Sequence, residues 1–177
     1  MGLLFTSSSM LQVYSIFPLT LFFLVPLYFQ FWHYRASDYY MRITSYLSGK
    51  VDKSSYLRSF GGRTFDNYEI SNVIRLMTEE EDRVFVWEDS AQIYALSNRL
   101  PPTKYVAGYH INDFSSIDST ISDFSQNMPK VIVLFESSDP PSKLLTFVQN
   151  YYILYKETPN YQIWSLGGGS AKFIISK

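Results

Sequence analysis

The sequence predicts an α/β chain in three parts. An N-terminal transmembrane helix comes first, then a connecting helix and loop. A small, mostly parallel α/β sandwich comes last and closes with a C-terminal antiparallel hairpin. Three observations carry that expectation. Residues 13–31 form an apolar stretch without a charge. Two continuous apolar runs, Val84-Phe85-Val86-Trp87 and Val131-Ile132-Val133-Leu134-Phe135, read as buried strands separated by segments of helical spacing. Two further β-like segments flank Glu157-Thr158-Pro159-Asn160. The parts fall at 1–34, 35–64 and 65–177.

The anchor rests on apolarity and length. Twelve of the nineteen residues in 13–31 are Leu, Ile, Phe or Val. Together they favour insertion by about 5 kcal/mol, partly offset by Ser15, Thr20 and Gln30. About twenty residues at helical rise cover the hydrocarbon core. Phe31-Trp32-His33-Tyr34 followed by Arg35 fits an aromatic belt with its snorkelling cation. Pro18 and Pro26 are tolerable kinks in a membrane helix, because neighbouring helices re-satisfy the freed carbonyls. The alternative is a buried hairpin. A cleaved signal peptide fits less well, since no positive charge precedes the apolar run. Met1-Gly2 with Thr6 formally matches a myristoylation pattern, but Leu3-Leu4-Phe5 make membrane burial simpler. Arg35, Arg42, Lys50 and Lys53 come after the span, and by the positive-inside rule they place the globular part in the cytoplasm.

Composition narrows the function classes. Fifteen basic residues stand against sixteen acidic ones, so no basic footprint for nucleic acid is present. No cysteine occurs, which excludes disulfides, thiolate catalysis and zinc–thiolate sites and leaves the redox compartment open. The 15 Tyr, 14 Phe and 3 Trp suit a β-rich core or a chain that meets a bilayer interface.

After the anchor, Tyr39, Tyr40, Ile43, Tyr46 and Leu47 share one helical face, and Ser48-Gly49-Lys50 stops that helix. Ser59-Phe60-Gly61-Gly62-Arg63-Thr64 reads as a loop. Such a Gly-Gly-Arg loop is either a plain turn or a phosphate cradle made of backbone N–H groups and the arginine. Residues 66–77 form a helix with Tyr68, Ile70, Val73, Ile74 and Met77 as its apolar stripe. The acidic run Glu79-Glu80-Glu81-Asp82 lacks the alternation and glycine of a calcium loop, so it reads as a solvated connection.

The strand at 84–87 leads through Glu88-Asp89-Ser90 into a helix bearing Ile93, Tyr94 and Leu96. Arg99-Leu100-Pro101-Pro102 is then an extended connector, because proline fixes its own φ and keeps its predecessor out of the helical region. Tyr105-Val106-Ala107 is a short strand candidate. Ser115-Ser116 cap a helix over 117–124. Asp139-Pro140-Pro141-Ser142 starts another helix, with Leu144, Leu145, Phe147 and Val148 facing the core. Gly167-Gly168-Gly169-Ser170 is a flexible linker before a weak strand at 172–175. Its spacing to Lys172 does not make a nucleotide loop. Right-handed crossovers make a mostly parallel sheet the default for this order.

No carboxylate pair, nucleophile–base pair or metal cluster is set up by spacing. The two histidines, His33 and His110, lie far apart in the sequence. The candidate ligand contacts are Trp87, Tyr94, Arg99 and His110, near the expected carboxyl ends of strands, where open α/β sheets bind ligands. Each also has an ordinary reading as core, surface cation or structural histidine. No catalytic residue, metal or cofactor is assigned to this chain.

Asp82-Arg83-Val84-Phe85-Val86-Trp87, then Gln92-Ile93-Tyr94-Ala95-Leu96-Ser97, then Arg99-Leu100-Pro101-Pro102-Thr103-Lys104-Tyr105 occur in an order that resembles a known family. Pro129-Lys130-Val131-Ile132-Val133 and Tyr151-Tyr152-Ile153-Leu154 extend the likeness. The family is the GT-C type membrane glycosyltransferases, related to protein O-mannosyltransferases and the aminoarabinose transferases of bacterial lipid A. Glu88 departs from it, since a glycine is common there. The resemblance implies the last transmembrane helix and extracytoplasmic α/β domain of an enzyme that moves a sugar from a polyprenyl-phosphate donor to a lipid, glycan or protein. It implies a cell-membrane location, and as partners the lipid bilayer, the other transmembrane helices, a polyprenyl-linked sugar and a glycan acceptor. The catalytic loop of that family has no counterpart here, so the chain alone would be inactive. The rival reading is a stand-alone membrane-anchored accessory or binding domain.

Overall fold

The computed structural model describes residues 9–30 and 36–167, and the chain divides into two compact units, Met1–Ser59 and Phe60–Lys177. The first unit contains α1 (Ser9–Phe29), α2 (Ala36–Leu47) and α3 (Lys53–Arg58). Pro18 and Pro26 lie inside α1, where each removes a backbone donor. α2 ends as its sequence dictates. Gly49 takes φ 73°, its N–H donates to Tyr46 O, and the Lys50 N–H donates to Ser45 O. Asp52 then caps α3, accepting from the Ser54 and Ser55 backbone N–H groups at 3.0 and 3.3 Å. Tyr46 of α2 stacks on Tyr56 of α3 with ring centroids 4.8 Å apart.

Among the described residues no helix is long and apolar enough to cross a membrane. The single-span anchor expected over 13–31, and the cell-membrane location drawn from it, are corrected on that finding. Tyr14, Thr20, Tyr28 and two prolines stand among the leucines and phenylalanines of α1. The aromatic belt at 31–34 and the myristoylation pattern lie outside the described residues.

The second unit runs α4 (Gly62–Met77), β1 (Val84–Trp87), α5 (Gln92–Ser97), α6 (Gly108–Phe114), α7 (Ile117–Gln126), β2 (Val131–Phe135), α8 (Ser142–Tyr151), β3 (Tyr152–Glu157) and β4 (Tyr161–Leu166). A 3-10 turn, Glu136–Ser138, comes directly after β2. The four strands form one sheet in the order β1-β2-β4-β3.

Both central apolar runs are strands buried on both faces. In β1 and β2, Val84, Val86, Val131, Val133 and Phe135 meet Ile70 and Ile74 of α4 and Ile93 and Tyr94 of α5. Phe85, Trp87, Ile132 and Leu134 face the other way, against Ile111, Phe124, Leu144 and Val148 from α6, α7 and α8. The result is three layers, helix–sheet–helix. Each such side chain removed from water contributes about 1.5–3 kcal/mol.

The sheet is mixed, which corrects the expectation of a mostly parallel one. β1 and β2 pair in parallel, Val84 opposite Val131 and Trp87 opposite Leu134. β2–β4 and β3–β4 pair antiparallel. The cause is visible in the last two strands. β4 buries Tyr161 and Ile163, whereas β3 buries only Tyr152. The strand with more to bury takes the inner place beside β2, and the more exposed strand goes to the edge. There a register shift between Leu154 and Lys156 disrupts it.

The strand expected at 105–107 does not form. Instead, three separate groups satisfy the outer edge of β1. Val84 N–H donates to Leu100 O (3.1 Å), Val86 N–H to the Tyr94 hydroxyl (2.9 Å), and Gly108 N–H to Glu88 O (3.4 Å). Pro101 and Pro102 lack the N–H a further strand needs, so the pairing stops at one bridge, Arg83 with Leu100. The weak strand at 172–175 and the linker before it lie outside the described residues from 168 on.

Candidate functional site

The four residues singled out from sequence do not converge. Trp87 is buried at the carboxyl end of β1. Its indole N–H donates to Ser138 O (3.2 Å), and the Ser138 hydroxyl donates back to Trp87 O (3.1 Å). Tyr94 lies on the opposite face of the sheet, in the α4–α5 layer. Burial pushes its hydroxyl well above the ordinary tyrosine value, against the smaller downward pull of the Val86 N–H. Arg99 is 8% exposed and sits at the amino end of β1. Its Nε donates to Thr78 Oγ1 (2.8 Å), Nη2 to Thr78 O (2.6 Å), and Nη1 to Ser97 O and Asn98 O. His110 lies among the rings of Tyr109, Tyr105 and Phe114, with its centroid 4.0 Å from that of Tyr109.

Two clefts open where β1 and β2 end side by side, the place where parallel strands of an open sheet present ligand sites. The larger, of ≈ 360 Å³, is lined by residues that include Arg63, Asp66, Phe135, Glu136, Ser137 and Asn160. The smaller, of ≈ 240 Å³, is lined by Trp87, Glu88, Asp89, Tyr109, Asn112 and Ser137 among others. The larger falls within the lower range of small-molecule sites.

Local sequence explains how the residues arrive there. Gly61, at φ 107°, turns the chain into α4 in a conformation that L side chains rarely adopt. The first turn of α4 then presents Arg63, and Asp66 comes three residues on, on the same face. The 3-10 turn that ends β2 presents Glu136 and Ser137. The Thr158–Asn160 turn between β3 and β4 presents Asn160, and the Glu136 N–H donates to Asn160 O (3.1 Å).

Arg63 is turned toward Glu88, 3.2 Å from its Oε1. It also donates to the Ser137 hydroxyl (3.0 Å), and its guanidinium lies 4.5 Å from the centre of the Phe135 ring. Asp66 is 8% exposed and accepts from the Asn160 amide (3.0 Å). Glu136 accepts from the Gln162 amide (3.3 Å). Neither Asp66 nor Glu136 has a cation partner among the described residues. Four carboxylates, Asp66, Glu88, Asp89 and Glu136, thus line the two clefts against one cation, Arg63.

That balance decides between the readings of the Gly-Gly-Arg segment. An anion would find Arg63 and the start of α4, but Glu88 already pairs with the guanidinium, and Asp66 and Glu136 would repel it. A cation meets two carboxylates whose partners are neutral amides. In the acidic run at 79–82, Asp82 is engaged elsewhere: it accepts from the Glu79 N–H and from Lys130 Nζ, both at 2.7 Å. Among the described residues no group of His, Asp and Glu is arranged to hold a metal ion.

Asp66, Glu136, Ser137 and Asn160 do not stand out in the sequence. Two signals point to them: the polar Glu-Ser-Ser directly after the most apolar strand, and the Arg-x-x-Asp spacing at a helix start. Neither has meaning until β1 and β2 are known to be neighbours.

Fold and cleft together define a small three-layer α/β domain with an acidic, amide-lined cleft at the carboxyl ends of its parallel pair. Residues 65–166 match the family described as "Putative competence-induced protein Ccs4 C-terminal domain", and the chain belongs to that family. No curated protein and no solved structure matches the chain. The family membership overturns the resemblance to GT-C membrane glycosyltransferases, and with it the expected sugar transfer. The shared features were a buried strand, a short helix and a Pro-Pro connector. These are general means of building an α/β layer and carry no specificity for sugar chemistry.

Proposed function

We propose that this domain is a binding module that takes a cationic group, an amine or a guanidinium, in the larger cleft beside Asp66 and Glu136. The observation that carries this reading is Asp66: a carboxylate 8% exposed, lining an open cleft, with a neutral amide as its partner. Burying a carboxylate costs free energy that a neutral donor only partly offsets, and a charged donor offsets it better. A ligand ammonium reaching Asp66 therefore has a favourable seat. From the family description we carry over only the setting, a protein made when competence is induced.

The test is calorimetric titration of the full chain with spermidine and with a tri-lysine peptide, and with a tri-glutamate peptide as the opposite charge. Binding of at least one cationic probe is expected, with no binding of the tri-glutamate. Asp66→Asn keeps the shape and the Asn160 contact but removes the charge, and should weaken cation binding about tenfold. Equal binding of both charges, or no effect of Asp66→Asn, would contradict the reading. Spermidine and the peptide separate a free amine from a basic protein segment as the source.

A further inference from the structure

The first unit is built unlike the second. Among its described residues only Leu57 is buried, and α2 buries none of its residues. Helical spacing divides α2 into two faces. Tyr40, Ile43 and Leu47 share one face, and they are 71%, 42% and 74% exposed. Asp38, Arg42 and Ser45 take the other. α1 carries no charge and also exposes its large side chains, Phe17 and Phe22 among them. An apolar surface this wide marks a place of contact. Charge is divided between the units as well. Residues 1–59 hold five basic residues against two acidic ones, all after residue 34, for a net of +3. Residues 60–177 hold ten against fourteen, for a net of −4.

We propose that the first unit binds an anionic lipid surface, with α2 lying in the interface and Tyr40, Ile43 and Leu47 turned toward the acyl chains. Such a helix lies on the layer and need not be long enough to cross it. The basic residues that follow α2, Lys50, Lys53 and Arg58, add attraction to negative headgroups. Tyrosine suits this boundary, because its ring is apolar and its hydroxyl polar. Lipid fits the unit better than a protein groove does. A groove covers one stripe of a helix, whereas the apolar residues of α1 are spread over every side. The contact is independent of the cation seat in the second unit.

Co-sedimentation of the full chain with lipid vesicles tests this, comparing equal parts phosphatidylcholine and phosphatidylglycerol with phosphatidylcholine alone. Binding to the mixed vesicles should be about tenfold tighter and should weaken as salt is raised. Ile43→Ser combined with Leu47→Ser, both at exposed positions, should weaken it about tenfold with thermal unfolding unchanged. Lys50→Gln combined with Lys53→Gln should remove most of the preference for the mixed vesicles and leave binding to phosphatidylcholine alone as it was. Absence of binding to the mixed vesicles, or equal binding to both kinds, overturns the proposal. Binding that survives the paired Ile43 and Leu47 changes also overturns it, because the contact then lies elsewhere in the chain. Self-association of the full chain without vesicle binding would assign the α2 face to a second copy and overturn it too.

Discussion

Arg99 and Arg63 lie at opposite ends of β1 and differ in almost every respect but their chemistry. Arg99, at the amino end, is buried and spends its guanidinium on Thr78, Ser97 and Asn98. Those bonds tie the end of α4 to the end of α5 and close the edge of the sheet. Arg63, at the carboxyl end, is half in solvent, with one carboxylate, one hydroxyl and one ring face as partners. One end of the sheet is sealed by its arginine, and the other is left open with an arginine at its mouth. Charge alone therefore says nothing about which arginine is sealed in and which stands at an opening. The number of internal acceptors around it does.

The sealed end should be the costliest to disrupt. Arg99→Ala leaves buried acceptors of Thr78 and Ser97 without a donor and should cost about 3 kcal/mol of stability. Arg99→Lys should recover little of it, because one ammonium cannot reproduce the planar fork. Urea denaturation measures both, and a loss under about 0.5 kcal/mol for Arg99→Ala would remove the contrast between the two ends.

Tyr94→Phe comes next. It deletes the hydroxyl that accepts from the Val86 N–H on the outer edge of β1 and should cost about 1–2 kcal/mol, with no change in cation binding at the far end. Faster hydrogen exchange of the Val86 amide is the matching local readout.

A smaller effect is set by pH. Burial pushes the Asp82 carboxyl up, but the Lys130 ammonium and the Glu79 N–H pull it further down, and the net position is below the usual carboxylate value. A group lowered by folding stabilises the fold above its unfolded value, and that contribution is lost as pH falls through its folded value. Stability should therefore drop in acid by less than about 1 kcal/mol from this pair, since both side chains are partly exposed. Lys130→Met should flatten that part of the acid limb.

At the open end the change should be slightest: Arg63→Met should alter stability by no more than about 0.5 kcal/mol by the same urea denaturation, in contrast to Arg99.

What the sequence made legible was whatever depends on local chemistry. The runs at 84–87 and 131–135 are strands because continuous apolar, β-branched residues need cover on both faces. Ser116 caps α7 by accepting from the Ser119 N–H (3.1 Å), as its position before that helix indicates. Gly49 ends α2 for an equally local reason. The long-range choices stayed hidden. β4 lies beside β2 because of how much Ile163 and Tyr161 bury, a comparison that no single segment contains. Asp66, Glu136 and Asn160 come from three separate segments, and only the sheet order brings them together. The likeness to a sugar transferase failed for the same reason, being built from local features that many α/β layers share.

An amide nitrogen–proton NMR titration of the full chain with spermidine reads both ends of the sheet at once. Shifts are expected at Gly62, Asp66, Ser137 and Asn160, at the open end, with Thr78, Asn98 and Arg99 at the sealed end unmoved. Shifts centred on the sealed end, or none at the open end, would refute cation binding at the carboxyl ends of β1 and β2.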